Sequence, residues 1–201
     1  MSYERFIERT ALIIKPDGVR RGLVGEILSR LERMGLKIIG LKMVKPSRAH
    51  IDDFYPKDKA WITRLGEKSL KTYKEYGVDP KKEVGTNDPF GIGQKVRDWI
   101  LETWLSGAPV VVIAVEGVHA IANVRAMVGN TMPTFAQPGT IRGDFSIDSA
   151  VIANLVGRAV KNIVHASENK EEAEHEIEHW FAPEELHEYK RADEEVILGK
   201  E

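Results

Sequence analysis

The chain contains no cysteine, and that absence removes disulfides, thiolate catalysis and every cysteine-based zinc site at once. Long hydrophobic runs are missing too: no stretch approaches the roughly 18 apolar residues of a membrane-spanning helix. The start, MSYERFIERT, carries no apolar segment of signal-peptide length. A cytoplasmic location with no membrane partner is the expectation. Nor is there an excess of charge of one sign. Lys and Arg number 29 against 31 Asp and Glu, a formal net charge of -2, which argues against dedicated nucleic-acid binding, whose affinity comes largely from a basic surface. A small polyanion stays admissible as a ligand, because a pocket needs only a few local cations. The Walker A pattern is absent, which disfavours a P-loop kinase. The dinucleotide fingerprint is absent as well, since GIGQKV (91–96) lacks the third glycine and follows a turn rather than a strand.

What is present suits one sizeable core. The 201 residues are 42% hydrophobic and 30% charged, the composition of a folded globular chain. TALIIKPDG reads as a strand broken into a turn by Pro16, Asp17 and Gly18. Leu23, Ile27, Leu28 and Leu31 then recur at helical spacing, predicting an amphipathic helix over 22–34 that Gly35 ends. LKIIGLKMVK (36–45) is strand-like, and Ser47 is placed to cap a short helix after it. APVVVIAVEG (108–117) is the most hydrophobic strand and is expected at the centre of a sheet. The expected strands are 10–15, 36–45, 109–117 and 161–166.

Other segments differ in texture. Residues 56–105 are rich in Lys, Glu and Asp, broken by GVDPKK and GTNDPFGIG, with helical pieces near 58–76 and 92–105. HAIANVRAMVG (119–129) is a further helix. GNTMPTFAQPGTIRGDF has turn-forming breakers and no periodicity, and a long ordered loop of that kind usually has a task. SIDSAVIANLVG reads as a short helix, 168–180 as a longer one, and 183–189 as a second short helix before a charged tail.

Three histidines lie in VKNIVHASENKEEAEHEIEHW (160–180). HEIEH fits H-E-x-x-H, the pattern of a zinc hydrolase with both histidines on one helix face. At 100° per residue from Ala173, the apolar Ile177, Trp180 and Phe181 fall at about 40°, 340° and 80°. His175 and His179 fall at about 200° and 240°, facing away from that stripe, and Glu176 at about 300°, on its inward edge. The wheel therefore points the two histidines to solvent and Glu176 to the body of the protein. His165 follows Ile163 and Val164 and precedes Ala166 and Ser167, so packing and one hydrogen bond could hold the ring with its other nitrogen free as base or nucleophile. Glu176, eleven residues on, could reach back to orient it. Spacing alone leaves open a half-buried structural histidine.

Three cations sit in separate ordered elements: Lys15 at the end of the first strand, Arg125 late in a helix whose apolar stripe it does not join, and Arg142 between Gly139 and Gly143. Each alone is more often a solvated surface charge; together they make a plausible phosphate cradle. Asn162, Tyr55 and Thr131 add neutral groups able to contact phosphate or sugar.

Taken together, ERTALIIKPDGVRRGLVGEI, GLKIIGLKMVKPSRAH, APVVVIAVEG, VRAMVGNTMP, PGTIRGDF and NIVHASENKEEAEHEI resemble one family, the nucleoside diphosphate kinases, in the family's order along the chain. The resemblance implies reversible, ping-pong transfer of the terminal phosphoryl group between nucleoside triphosphates and diphosphates. His165 matches the phosphorylated histidine, attacking through Nδ1, and Glu176 the carboxylate that orients its ring, directly or through a chain of hydrogen bonds. Lys15, Tyr55, Arg125, Thr131, Arg142 and Asn162 match phosphate and ribose contacts, Lys15 and Asn162 also touching the 3′-hydroxyl. Mg²⁺ would be held mainly by the nucleotide's phosphates, with no dedicated protein cage and Glu168 assisting. The implied fold is α+β, a ferredoxin-like βαββαβ sandwich with an antiparallel four-stranded sheet and extra helices. The implied assembly is a homo-oligomer, a hexamer in most members and a tetramer in some, with the loop 130–143 lining the site and contributing to subunit contacts.

Departures from the family pattern fall mainly on the nucleobase side. A single domain over 1–201 is expected, with a helical insert at about 57–105 and a short insert at about 146–158. The family's base-stacking phenylalanine belongs in the first of these, where Trp61 and Phe90 are the aromatic candidates. Where many members carry Asp three residues after the histidine, this chain has Glu168. The alternative of another class is a non-catalytic nucleotide-binding or assembly module of the same fold. The intact set of His165, Lys15, Arg125, Arg142, Asn162 and Glu176 argues against it.

Overall fold

The computed structural model describes residues 3–199. A 3-10 turn at Tyr3–Phe6 enters β1 (Ile7–Ile14), followed by α1 (Pro16–Arg20), α2 (Val24–Arg33) and β2 (Lys37–Val44). Next come α3 (Arg48–Phe54), α4 (Lys59–Glu75), α5 (Pro80–Val84) and α6 (Pro89–Trp104). β3 (Val110–Val118) leads to α7 (Ala120–Val128), α8 (Ile141–Phe145) and α9 (Ala150–Leu155). β4 (Val164–Ala166), α10 (Lys170–Trp180) and α11 (Glu194–Leu198) complete the described elements.

The four strands form one antiparallel sheet in the order β2-β3-β1-β4. The fold is the expected α+β, ferredoxin-like sandwich, with β3 central as its hydrophobicity predicts. Both faces of the sheet are covered, which is why β1 and β3 read as continuous apolar runs rather than alternating ones. Leu12, Ile14, Val111, Ile113 and Val115 pack on one side against Ile27 and Leu31 of α2 and Val124 of α7. Ala11, Ile13, Val110, Val112 and Ala114 pack on the other against Ile51 and Phe54 of α3, Leu101 and Trp104 of α6, and Ile177 and Trp180 of α10. His165 and Glu176 lie on this second side.

Several sequence expectations are refined. The PDG turn is the first turn of α1, with Pro16 at a helical position where its missing N–H is no loss. The helix expected at 22–34 begins at Val24. Ser47 caps α3 as expected, accepting from His50 N at 3.1 Å. The extended piece expected from 161 pairs only over Val164–Ala166, because Ile163 stands at φ 70° and Val164 N donates to Asn162 O at 2.7 Å, a γ-turn. The helix expected at 183–189 is a 3-10 turn at Pro183–Glu185, and the charged tail carries α11.

α4 and α6 touch backbone to backbone. A Cβ on Gly66 would lie 1.8 Å from Pro89 O, and one on Gly93 would lie 1.9 Å from Ile62 O. Tyr73, Val84 and Ile92 form a satellite core there, and Val151 of α9 completes it. The two segments expected as separate inserts thus pack on each other, while the last turn of α6 belongs to the main core.

Candidate active site

His165 is placed by strand register. β4 pairs with β1 so that His165 lies opposite Ile13, and Ile13 faces the second core. The imidazole therefore projects among the helices on that side: the Phe54 ring meets it edge-on at 5.2 Å, and the Trp104 indole lies 6.4 Å away. Glu176 of α10, only 6% exposed, reaches back directly, its Oε1 2.6 Å from His165 Nε2. A carboxylate accepts only, so Nε2 carries the proton and Nδ1 keeps its lone pair.

Ser167 completes the support, and sequence reasoning missed it. Its hydroxyl donates to Glu176 Oε2 at 2.7 Å and accepts from Ala11 N at 3.3 Å, anchoring the carboxylate to β1. The signal was available: residues two apart along an extended segment share a face, so Ser167 had to follow His165 inward.

The three cations lie within electrostatic reach of one another, Lys15 of Arg142 and Arg142 of Arg125. Arg142, 7% exposed, is held by backbone carbonyls: Nε donates to Asn162 O at 3.2 Å, Nη1 to Gly129 O at 2.9 Å and Nη2 to Val164 O at 2.8 Å. These bonds pin the chain on both sides of the Ile163 turn and leave two guanidinium N–H groups for a ligand. Burial, then the neighbouring Arg125 charge, pushes Arg142 down to about 10. Lys15 Nζ donates to Asn162 Oδ1 at 2.5 Å; burial pushes it down to about 8, opposed by Asp17 and aided by Arg142. Arg125 is more exposed, with Nη2 3.9 Å from Glu168 Oε1. Like charges gathered in this way are stabilised by an anion.

Asn162 ties this group together, its Nδ2 donating to Thr131 O at 2.9 Å; Thr131 itself is exposed on the loop. Asp17, also unforeseen, accepts from Ile163 N at 3.0 Å through Oδ2, supporting the left-handed residue two positions before His165. Tyr55 follows α3, accepts from Trp104 Nε1 at 2.9 Å, and burial pushes its phenol well above the ordinary range. Trp61 lies beside Tyr55, rings 5.9 Å apart, whereas Phe90 sits under the Lys59 ammonium at 5.5 Å.

The HEIEH reading needs one correction. His175 is exposed as the wheel predicted, but His179 is half-buried, its ring 4.0 Å from His50 and its Nε2 3.1 Å from His50 O. A wheel sees one helix only, and α3 covers the flank it assigned to solvent. Burial pushes both His50 and His179 below the usual imidazole range; the His179 charge lowers His50 further, whereas for His179 the hydrogen bond to the His50 carbonyl opposes the shift and His175 adds to it. Glu176 points away from His175 and His179 toward His165, and among the described residues no three His, Asp or Glu side chains converge in a metal-binding group.

Comparison with known proteins agrees with this geometry. The family model described as nucleoside diphosphate kinase matches residues 8–63 and 99–186. A nucleoside diphosphate kinase of Pyrobaculum aerophilum is 50% identical over 180 residues, 90% of this chain and 98% of that protein. One from Pyrococcus furiosus is 42% identical over 92% of this chain and 90% of its own length. Among solved structures, an NDP kinase from Pyrobaculum aerophilum superposes with a TM-score of 0.87 at 48% identity, covering 90% of this chain and 100% of that one. A transition-state mimic of the Borrelia burgdorferi enzyme with vanadate and ADP gives 0.71 at 35% identity, covering 96% and 97%.

Proposed function

The chain belongs to the nucleoside diphosphate kinase family, and from that premise we propose how its residues carry out the reaction. The protein is a phosphotransferase that moves the terminal phosphoryl group of a nucleoside triphosphate to a nucleoside diphosphate, in two steps through a phosphohistidine. In the first step His165 Nδ1 forms a bond to the γ-phosphorus as the bond to the β-phosphate oxygen breaks. In the second a diphosphate oxygen attacks the same phosphorus and the imidazole leaves. Glu176 holds the Nε2 proton and offsets the positive charge the ring gains on phosphorylation. Arg142, Lys15 and Arg125 stabilise the equatorial oxygens, where the transition state spreads its charge. Tyr55, Thr131 and Asn162 supply further contacts to phosphate and ribose, and Trp61 offers the nucleobase an aromatic face.

Members of this family use Mg²⁺. Here the cradle is cationic, and it suits an ion that arrives on the nucleotide's own phosphates, with Glu168 the carboxylate at the rim. When bound, the ion offsets phosphate charge and aligns the phosphates. Family members bind nucleoside triphosphates and diphosphates and form oligomers, and a homohexamer is the assembly proposed for this chain. One kinase domain with paired insertions at about 57–105 and 146–158 accounts for the chain's length. Among the described residues no helix is long and apolar enough to cross a membrane, and the proposed location is the cytoplasm.

The observation that carries this reading is the His165–Glu176 contact of 2.6 Å, which engages Nε2 and leaves Nδ1 for the phosphoryl group. Incubation with γ-labelled ATP and Mg²⁺ tests it. Acid-labile, base-stable label on the protein is expected, lost in His165→Ala and retained in His175→Ala. Label that survives in His165→Ala would refute the assignment.

A further inference from the structure

Helix α6 reaches the Tyr55 segment at two points. Arg97 Nη2 donates to Asp52 O at 3.1 Å and to Asp52 Oδ1 at 2.8 Å, and its Nε donates to Pro56 O at 3.3 Å. These contacts bracket Tyr55 in sequence. Trp104, the last residue of α6 and 1% exposed, then donates its indole N–H to the Tyr55 hydroxyl at 2.9 Å.

The direction of that bond matters. An indole N–H can only donate, so the phenol oxygen accepts and its own proton must point elsewhere. Among the described residues Trp104 is the one hydrogen-bond partner of the Tyr55 hydroxyl, which leaves the phenol proton uncommitted. Its surroundings are those of the reacting group: the Trp104 indole lies 6.4 Å from the His165 ring, and the Tyr55 hydroxyl feels the charges of Glu176 and Arg142.

We propose that Trp104 is a positioning residue for phosphoryl transfer. By occupying the lone-pair side of the Tyr55 oxygen it turns the O–H proton toward the phosphoryl oxygens passing between nucleotide and His165. Helix α6, through Arg97 and Trp104, is the splint that holds Tyr55 in that pose. The proposal rests on Tyr55 as a phosphate contact, and it gives α6 a part in the chemistry of the site.

Trp104 also stacks on Trp180 with ring centroids 6.2 Å apart, so packing has to be separated from hydrogen bonding. Replacing Trp104 by 3-benzothienylalanine keeps the fused bicycle and exchanges the N–H for sulfur; Trp104→Phe is the simpler variant. Steady-state kcat and KM would be measured for each, for Tyr55→Phe, and for the combinations. Tyr55→Phe is expected to lower kcat about tenfold, and the isostere about fivefold with KM changed less than about twofold, the size of one hydrogen bond in the transition state. In the Tyr55→Phe background the isostere should change kcat by less than about 1.5-fold, because the group it serves is gone. An isostere with full kcat, or one equally costly with and without the Tyr55 hydroxyl, overturns the positioning role. If Tyr55→Phe itself keeps full kcat, the phosphate contact is wrong and the proposal falls with it.

Discussion

Lys15 sits where burial opposes its own charge, at the end of β1 with Arg142 nearby. Its ammonium is pushed from 10.5 down to about 8 by burial first, Asp17 opposing and Arg142 adding to the effect. In the free enzyme the charge is lost as pH rises through about 8, so kcat/KM should fall there. Lys15→Arg keeps its charge and should move that alkaline limb upward; a limb that stays in place belongs to another group. Stability follows the opposite sign. The unfolded chain holds the proton up to about 10.5 and the folded chain up to about 8, so the unfolded state binds more protons between those values and stability rises with pH across the window. Below it the full cost of the buried ammonium remains. At this scale the His165–Glu176 pairing was legible, because helix phase turned Glu176 inward at a reachable distance. His179 was misread, because its covering partner, His50, comes from a distant stretch of chain. Trp104 was not legible as a partner of Tyr55, since the phenol it bonds lies 49 positions away.

Elements carry the positions of these residues. The boundaries of α3, α4, α6 and α10 were close to readable from capping residues and apolar phase. Asp58 accepts from Trp61 N at 2.8 Å and Asp88 from Gly91 N at 2.7 Å, opening α4 and α6. The sequence could not say how closely those helices approach. Gly66 and Gly93 allow α4 and α6 to meet backbone to backbone, where a Cβ would come within 1.8 and 1.9 Å of carbonyl oxygens. Gly93→Ala must therefore part the helices. It should lower stability by about 1–3 kcal/mol, as overpacking does, and reduce kcat together with it, since α6 ends in Trp104. Urea unfolding with parallel turnover measurements checks this; unchanged stability would mean that the crossing yields without strain.

For the molecule as a whole, the distribution of exposed apolar side chains bears on assembly. β2 is an edge strand, and on it Leu41 and Met43 are 51% and 58% exposed. The C-terminal segment covers only the earlier part of that edge, His187 N donating to Ile39 O at 2.7 Å and Tyr189 Oη to Ile38 O at 3.0 Å. An open apolar edge is a surface that natural chains cover or pair. The proposed hexamer should sediment at a multiple of the 22.6 kDa chain mass, and Leu41→Glu with Met43→Glu should reduce that multiple. A wild-type monomer at working concentration would refute the assembly.

The sequence by itself determined the local chemistry: which segments are apolar on both faces, where helices start, and which side chains can bind phosphate. Those properties depend on neighbours within a few positions, so they survive translation into structure. Only the tertiary structure decided what meets what. The β1–β4 register, Ile13 against His165, chose the face of the sheet on which the nucleophile stands. The crossing of α4 and α6 chose where Trp104 ends up. Both are contacts across long loops, set by mutual packing of surfaces that no local pattern encodes.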